Sequence, residues 1–277
     1  MKHELFIAFI GGGNMAAALA ASLAGQVCPA GNIHVIEINQ DAHAAWQARG
    51  MTTATQASTV LAACRVWIYA VKPQNMREVV ASTRAWLRPD TLVISIAAGI
   101  ASDTLSEWLG DASAPWQRLI RCMPNTPALV GAGVTGLTAL PAVDANDREL
   151  AGRLLEAVGE VVWVADDAAL DAVTALSGNG PAYVFLFLEA MIAGVLALGL
   201  DAQQARKLAL GTLAGATKLA AQSDESPTVL RERVTSKGGT TAAALDVFAA
   251  FGFSDMVERA MQAAAQRSRE LAKEFGQ

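Results

Sequence analysis

The chain has 277 residues, 53% of them hydrophobic and 17% charged, with a formal net charge of -5. That length holds one large domain or two ordinary ones around a sizeable core or subunit interface, and an acidic balance without a basic cluster argues against a nucleic-acid binder. Its three cysteines, Cys28, Cys64 and Cys122, show neither metal-ligand spacing nor an even disulfide framework, which reads as reduced thiols in a cytoplasmic protein.

The first apolar run, Leu5–Ile10, leads into a glycine loop instead of a cleavage site, so it reads as a strand and not as a signal peptide. The loop Gly11-Gly12-Gly13-Asn14-Met15-Ala16 carries G-x-G-x-x-A, and a helix over Ala16–Ala24 follows. Gly11 permits the tight turn, Gly13 lets the backbone approach a pyrophosphate, and the small Ala16 lets helix and strand pack closely. The motif alone is weak, but a strand before it and further strands after it point to dinucleotide binding. The second strand, Ile33–Ile38, brings Glu37 near the place where an acid holds ribose hydroxyls and repels a 2′-phosphate. If Glu37 points away, Asn39 faces the ribose, and the strand register decides between them.

Strands Val66–Ala70, Thr91–Ile96 and Arg118–Cys122 follow, separated by helical patterns. Ligands bind at the carboxyl ends of such strands. Ala70-Val71-Lys72-Pro73 ends one of them, and Lys72 either touches the nicotinamide ribose or a bound water, or starts a helix in solvent. Ala97-Ala98-Gly99 ends the next with small residues, suited to a backbone shelf for a flat ring or to close strand–helix packing. Asn125, between Pro124 and Pro127, either orients the nicotinamide amide or the substrate, or closes an Asx-type turn. A further β-like pair, Gly133–Thr138 and Val161–Val164, encloses a helix. This alternation predicts an α/β N-terminal Rossmann-type domain with a mostly parallel sheet over residues 1–165.

Beyond that point strand signals stop. Asp166–Leu176, Pro181–Leu198, Asp201–Gln222, Pro227–Val234, Thr240–Ala250 and Ser254–Phe275 read as helices, with Pro181 and Pro227 in first turns and Asp201 and Ser254 as N-caps. Residues 166–277 therefore form an all-α C-terminal domain. Pro181–Leu200 is apolar apart from Glu189 and long enough to approach a membrane span. It lacks a basic flank and an aromatic belt, so it reads as a helix buried in a core or dimer.

All three histidines, His3, His34 and His43, lie in the first 43 residues, and none is at a predicted strand end that faces a cofactor. A site without an evident acid suits a substrate that is already electrophilic, such as a protonated imine, and needs a carboxylate anchor more than a proton donor. Gly238-Gly239-Thr240-Thr241 opens a helix whose first amides suit an anion, or is an ordinary threonine-capped start.

Taken together, FIGGGNMAAAL, AVKPQ, SIAAG, RCMPNTPA, LSGNGPAYVF and VTSKGGTTAAALDVF resemble the pyrroline-5-carboxylate reductase family over nearly the whole chain. Lys237 stands where family members often have proline, and Asn179 where they often have serine. The resemblance implies reduction of Δ1-pyrroline-5-carboxylate to L-proline with NADPH, or with NADH as the alternative. It places the cofactor on Gly11 to Ala16, Asn39, Ala70 to Pro73 and Ala97 to Gly99. It places the substrate carboxylate on the amides of Gly239, Thr240 and Thr241 near Glu225, with the Thr241 hydroxyl as donor to the ring nitrogen. Thr241 and Lys72 are the catalytic candidates, and no metal is expected. The resemblance further implies a homodimer through the C-terminal helices, or a larger assembly of dimers, without membrane or nucleic-acid partners. A β-hydroxyacid dehydrogenase would need a lysine on the first helix of the C-terminal domain, and Pro181–Leu200 has none. Reduction of other cyclic imines stays open, and a redox-sensing module would need an effector domain that is not read after Ser268.

Overall fold

The computed structural model describes residues 4–276, so His3 lies outside it. Strands β1 Ile7–Ile10, β2 Ile33–Ile36, β3 Thr52–Ala54, β4 Val66–Tyr69, β5 Leu92–Ser95, β6 Leu119–Met123, β7 Gly133–Ala139 and β8 Gly159–Trp163 form one eight-stranded sheet ordered β3-β2-β1-β4-β5-β6-β7-β8. The ladder is parallel from β3 to β6. β7 then runs antiparallel to β6, and β8 runs parallel to β7. Helices α1 Asn14–Leu23, α2 His43–Gln47, α3 Met76–Thr83, α4 Ser102–Leu109 and α5 Ala145–Glu156 connect the strands.

The inner strands are apolar throughout because both faces are covered. Side chains alternate across the sheet. Ile7 and Phe9 pack with Leu19 and Leu23 of α1 on one face, while Ala8 and Ile10 pack with Trp67, Tyr69, Met76 and Leu105 on the other. The chain leaves β1 toward β2 on one side and returns to β4 on the other, so the strand order reverses beside β1. The carboxyl ends of β1 and β4 there frame the crevice in which sheets of this type bind ligands.

Charged fasteners hold the rim of the sheet. Arg65 and Arg118 both pair with the buried Asp147 of α5. Arg121 of β6 reaches Asp167 at 2.6 Å, and Asp167 also accepts from the Ser102 amide at 2.6 Å and the Ser102 hydroxyl at 2.8 Å.

Helices α6 Asp167–Val173, α7 Gly180–Ala197, α8 Ala202–Ala221, α9 Pro227–Arg233, α10 Thr240–Ala250 and α11 Phe253–Phe275 follow. The chain divides into two compact units, Met1–Asn179 with Ala264–Gln277, and Gly180–Ala263. Two of these helix starts differ from the sequence reading. No new helix begins at Pro181: α6 continues into α7 through a π turn over Thr174–Gly178, with the Asn179 amide donating to Thr174 O at 3.0 Å. Proline has no N–H for the carbonyl of Ser177 four residues earlier, and a wider turn accommodates that loss. Ser254 is not an N-cap either, because the Met256 amide already bonds Gly252 O and places Ser254 inside the first turn of α11. Asp201 does cap α8, in a reciprocal box with Gln204. In the second unit α7 buries no residue within the single chain, and Val184, Phe185 and Leu186 are exposed. The helix Asp167–Ala197 is long and apolar enough to cross a membrane by length and composition.

Candidate active site

The first unit carries a cradle at the end of β1. Gly11 adopts φ +103°, and its amide donates to Ile36 O at 2.9 Å while the Ala70 amide donates to Ile10 O at 2.8 Å. A Cβ on Gly11 would lie 2.8 Å from Ala70 O and from Val71 Cγ1, so the turn is pressed against the β4 end and admits glycine alone. Ala16 is fully buried under the sheet. Gly13 precedes α1 in an extended conformation, and no side chain caps the helix. Open space surrounds the position a Gly13 Cβ would take. The exposed Asn14 and half-buried Met15 follow it, and the amides before Ala17, whose N–H makes the first helical bond to Gly13 O, have no helical partner, as an anion site requires. The cradle thus fits the pyrophosphate of a dinucleotide.

The structure fixes the register that the sequence left open at Glu37. Its Oε2 accepts from the Gly12 amide at 2.9 Å and its Oε1 from the Asn39 amide at 2.8 Å. A Cβ on Gly12 would lie 2.9 Å from Glu37 Oε2 and 3.1 Å from Trp46 Nε1, so glycine is required there by the close approach of this carboxylate. Glu37 therefore points into the loop, and Asn39 sits beside it, with its Oδ1 accepting from the Asp41 amide at 3.1 Å.

At the β4 end, Lys72 is exposed and precedes a short 3-10 turn that Pro73 opens, with Val71 half-buried beneath the glycine loop. Ala97 is buried, Ala98 half-buried and Gly99 buried. A Cβ on Gly99 would meet Leu271 Cβ at 3.0 Å, so the smallness of this shelf also serves packing against the end of α11. The Asn125 carboxamide does not point outward. Its Nδ2 donates to Ser177 O at 3.2 Å and to Ser177 Oγ at 3.1 Å, and its Oδ1 accepts from the Val134 amide at 2.9 Å. It supplies the partner that Pro181 denies to Ser177 O, and so ties the π turn to β7. The carboxamide is thus engaged with the fold through both its oxygen and its nitrogen, and it closes no Asx turn with its own loop.

The second unit carries the other glycine-rich helix start. Gly238 adopts φ +72°, and Gly239 precedes α10 without a side-chain cap. The Gly239 amide donates to Ser236 O at 3.0 Å, so it is spent inside the turn. The free donors of this start are the amides of the next residues, Thr240, Thr241 and Ala242, because the first helical bond runs from Ala243 to Gly239 O. Ser236, which sequence reading passed over, brings its hydroxyl so close that a Cβ on Gly239 would collide with it. Glu225, half-buried between α8 and α9, pairs with Arg233, the last residue of α9. A groove of about 890 Å³ in this unit is lined by Phe187, Phe248, Phe253, Arg231 and Ala242 among others, and its three phenylalanines meet one another in tilted and edge-on contacts.

Among the described residues, no group of three or more His, Cys, Asp and Glu side chains is placed to hold a metal ion. His34 and the three cysteines take no part in either helix start. Burial lowers the His34 pKa and raises those of Cys28, Cys64 and Cys122.

A family model described as pyrroline-5-carboxylate reductase dimerisation matches residues 167–271, and one described as NADP oxidoreductase, coenzyme F420-dependent, matches residues 6–99. The chain is 44% identical over 272 residues to a pyrroline-5-carboxylate reductase of Pseudomonas aeruginosa, covering 98% of each protein. Among solved structures it is similar to a pyrroline-5-carboxylate reductase from Coxiella burnetii, with a TM-score of 0.89 and 34% identity over 98% of this chain and 99% of that one. It is also similar to the Plasmodium falciparum enzyme solved with NADP bound, at a TM-score of 0.86 and 26% identity over 97% and 98% of the two chains.

Proposed function

The chain belongs to the pyrroline-5-carboxylate reductase family, and on that premise we propose that its two uncapped, glycine-preceded helix starts hold the two reactants of the family's reaction. The protein is an oxidoreductase that reduces Δ1-pyrroline-5-carboxylate to L-proline, the last step of proline biosynthesis, with a nicotinamide cofactor. The observation that carries the assignment of sites is the pairing of α1 after Gly13 with α10 after Gly239, neither of them capped by a side chain.

In this reading residues 1–165 bind the cofactor, through Gly11 to Ala16, Ala70 to Pro73 and Ala97 to Gly99. When bound, the cofactor supplies a hydride to the imine carbon. Residues 166–277 dimerise and hold the substrate. The amides of Thr240 and Thr241 receive the carboxylate, with the hydroxyl of Ser236 beside them. The ring nitrogen, already protonated in the imine, takes the electron pair of the C=N bond as hydride reaches the carbon, and the Thr241 hydroxyl donates a hydrogen bond to the lone pair that forms there. Glu225, oriented by Arg233, borders this end. Lys72 places a positive charge at the end of β4, where an anionic ligand gains from it. Asn125 acts through the fold, by holding the π turn. Asn39 lies at the ribose end of the cofactor. The apolar side chains of α7, exposed in a single chain, are read as the interface of a cytoplasmic homodimer, because the matched dimerisation region spans that helix.

The test is substrate-dependent oxidation of reduced cofactor, followed by absorbance, in the wild-type protein and in Thr241→Ala. The expected result is turnover in the wild type and a loss on the order of 10²-fold in kcat in the variant, the scale of a positioned proton donor, with cofactor Kd unchanged. Full turnover in the variant removes the role of Thr241. A folded wild type without turnover removes the assignment of sites.

A further inference from the structure

We infer that Glu37 makes this chain select NADH over NADPH, an inference that rests on the placement of the cofactor proposed above. The carboxylate stands at the carboxyl end of β2, fastened by the Gly12 amide at 2.9 Å and the Asn39 amide at 2.8 Å. Each oxygen accepts one of these bonds and keeps acceptor capacity for a second donor. Ribose hydroxyls donate, so an NADH ribose complements this group. A 2′-phosphate is an anion that only accepts in its charged form, so NADPH would bring like charge against a fixed carboxylate.

The residues that follow Glu37 in sequence offer no relief. The residues after Glu37 are Ile38, Asn39, Gln40, Asp41, Ala42 and His43, and the first arginine or lysine in sequence is Arg49. Asp41 adds a second carboxylate in the next turn. Asn39 already spends its side-chain oxygen on the Asp41 amide at 3.1 Å. His43 directs its Nε2 to Glu37 O at 2.6 Å and so is engaged with the backbone. Glu37 is also built into the loop, because a side chain on Gly12 would strike its carboxylate. Rotating it away to admit a phosphate would leave the Gly12 amide without its partner.

Equilibrium titration of the purified protein with NADH and with NADPH, read by nicotinamide fluorescence, tests this without turnover. The wild type is expected to bind NADH roughly tenfold or more tighter than NADPH. Glu37→Gln and Glu37→Ser, checked for folding by circular dichroism, are expected to shrink that ratio by about tenfold, mainly by tightening NADPH. Equal or tighter NADPH binding in the wild type overturns the inference, as does an unchanged ratio in both folded variants. If the variants do not fold, the wild-type ratio decides alone. Turnover assays with each cofactor separate the two readings. Reduction of pyrroline-5-carboxylate with NADPH preferred removes the role of Glu37 and keeps the assignment of sites. Selective NADH binding without turnover keeps Glu37 and the cofactor cradle and removes the assignment of the substrate to α10.

Discussion

Replacing Gly13 by alanine separates the two reasons for which a loop retains glycine. Gly13 has φ -72° and ψ -179°, a conformation open to any residue, and an added Cβ would meet no atom within 4 Å. Folding therefore gives glycine no advantage there. Reduced freedom in the unfolded chain favours alanine by about 0.4–1 kcal/mol, and the poorer helix-cap preference of alanine costs a similar amount. The net change is within about 0.5 kcal/mol, or roughly 1–2 °C in Tm for a chain of this size. Cofactor binding should respond differently, because the methyl group would stand over the free amides of α1. Loss of one charge-assisted hydrogen bond costs about 1.5–3 kcal/mol, which is roughly ten- to hundredfold in Kd. Urea denaturation and fluorescence titration with NADH on the same preparation read both quantities. Wild-type affinity in Gly13→Ala would show that the open space is not for a phosphate, and a stability loss above about 2 kcal/mol would contradict the geometry. Gly11→Ala should do the opposite and destabilise strongly, since φ +103° and the 2.8 Å approach to Ala70 O both exclude a side chain.

Asp147→Ala should cost about 3–5 kcal/mol, because it leaves Arg65 and Arg118 facing each other without their shared carboxylate. Urea denaturation at fixed protein concentration measures this, and a cost below about 1 kcal/mol would mean that both arginines turn to solvent. Burial raises the Cys64 pKa from 9.0 to about 11. Below pH 9.0 folded and unfolded thiols are both protonated; above it the unfolded thiol ionises first, so stability falls with rising pH up to about 11. The full contribution is about 2–3 kcal/mol, and Cys64→Ala should flatten the alkaline slope of stability by that amount; an unchanged slope would refute it. Asn125→Ala should cost about 1–3 kcal/mol through the orphaned Val134 amide and Ser177 carbonyl. If it weakens cofactor binding with no loss of stability, the carboxamide faces the cofactor after all.

Local signals in the sequence were enough for the glycine loop, the inner strands and the helices of the C-terminal half. Leu5–Ile10 and Val66–Ala70 are apolar runs ended by turn residues, and α10 begins and ends where its glycines and alanines predict. What escaped depends on partners distant in sequence. β3 is a three-residue edge strand, Thr52–Ala54, too short to show alternation, and it exists because β2 offers it a free edge. The antiparallel turn of β7 carries no local mark. The direction of Glu37 depends on the Gly12 amide 25 residues away. The commitment of Asn125 depends on Ser177, 52 residues on, and on a missing N–H at Pro181. The loss of the Gly239 amide to Ser236 O was within local reach, since a left-handed Gly238 closes that turn.

The end of α11 gives the first unit an unusual dependence on the order of synthesis. Leu271 packs on Gly99 and Phe275 joins the core on the α3–α4 face of the sheet, yet both residues leave the ribosome only after all of Gly180–Ala263. At about 5–20 residues per second, that interval is on the order of ten seconds. Throughout it the nascent sheet can hold its strands together while the Ala97–Gly99 shelf stays uncovered. The dinucleotide-binding half is therefore the first part of the chain to begin folding and among the last to finish, and premature termination before Ala264 would release it incomplete.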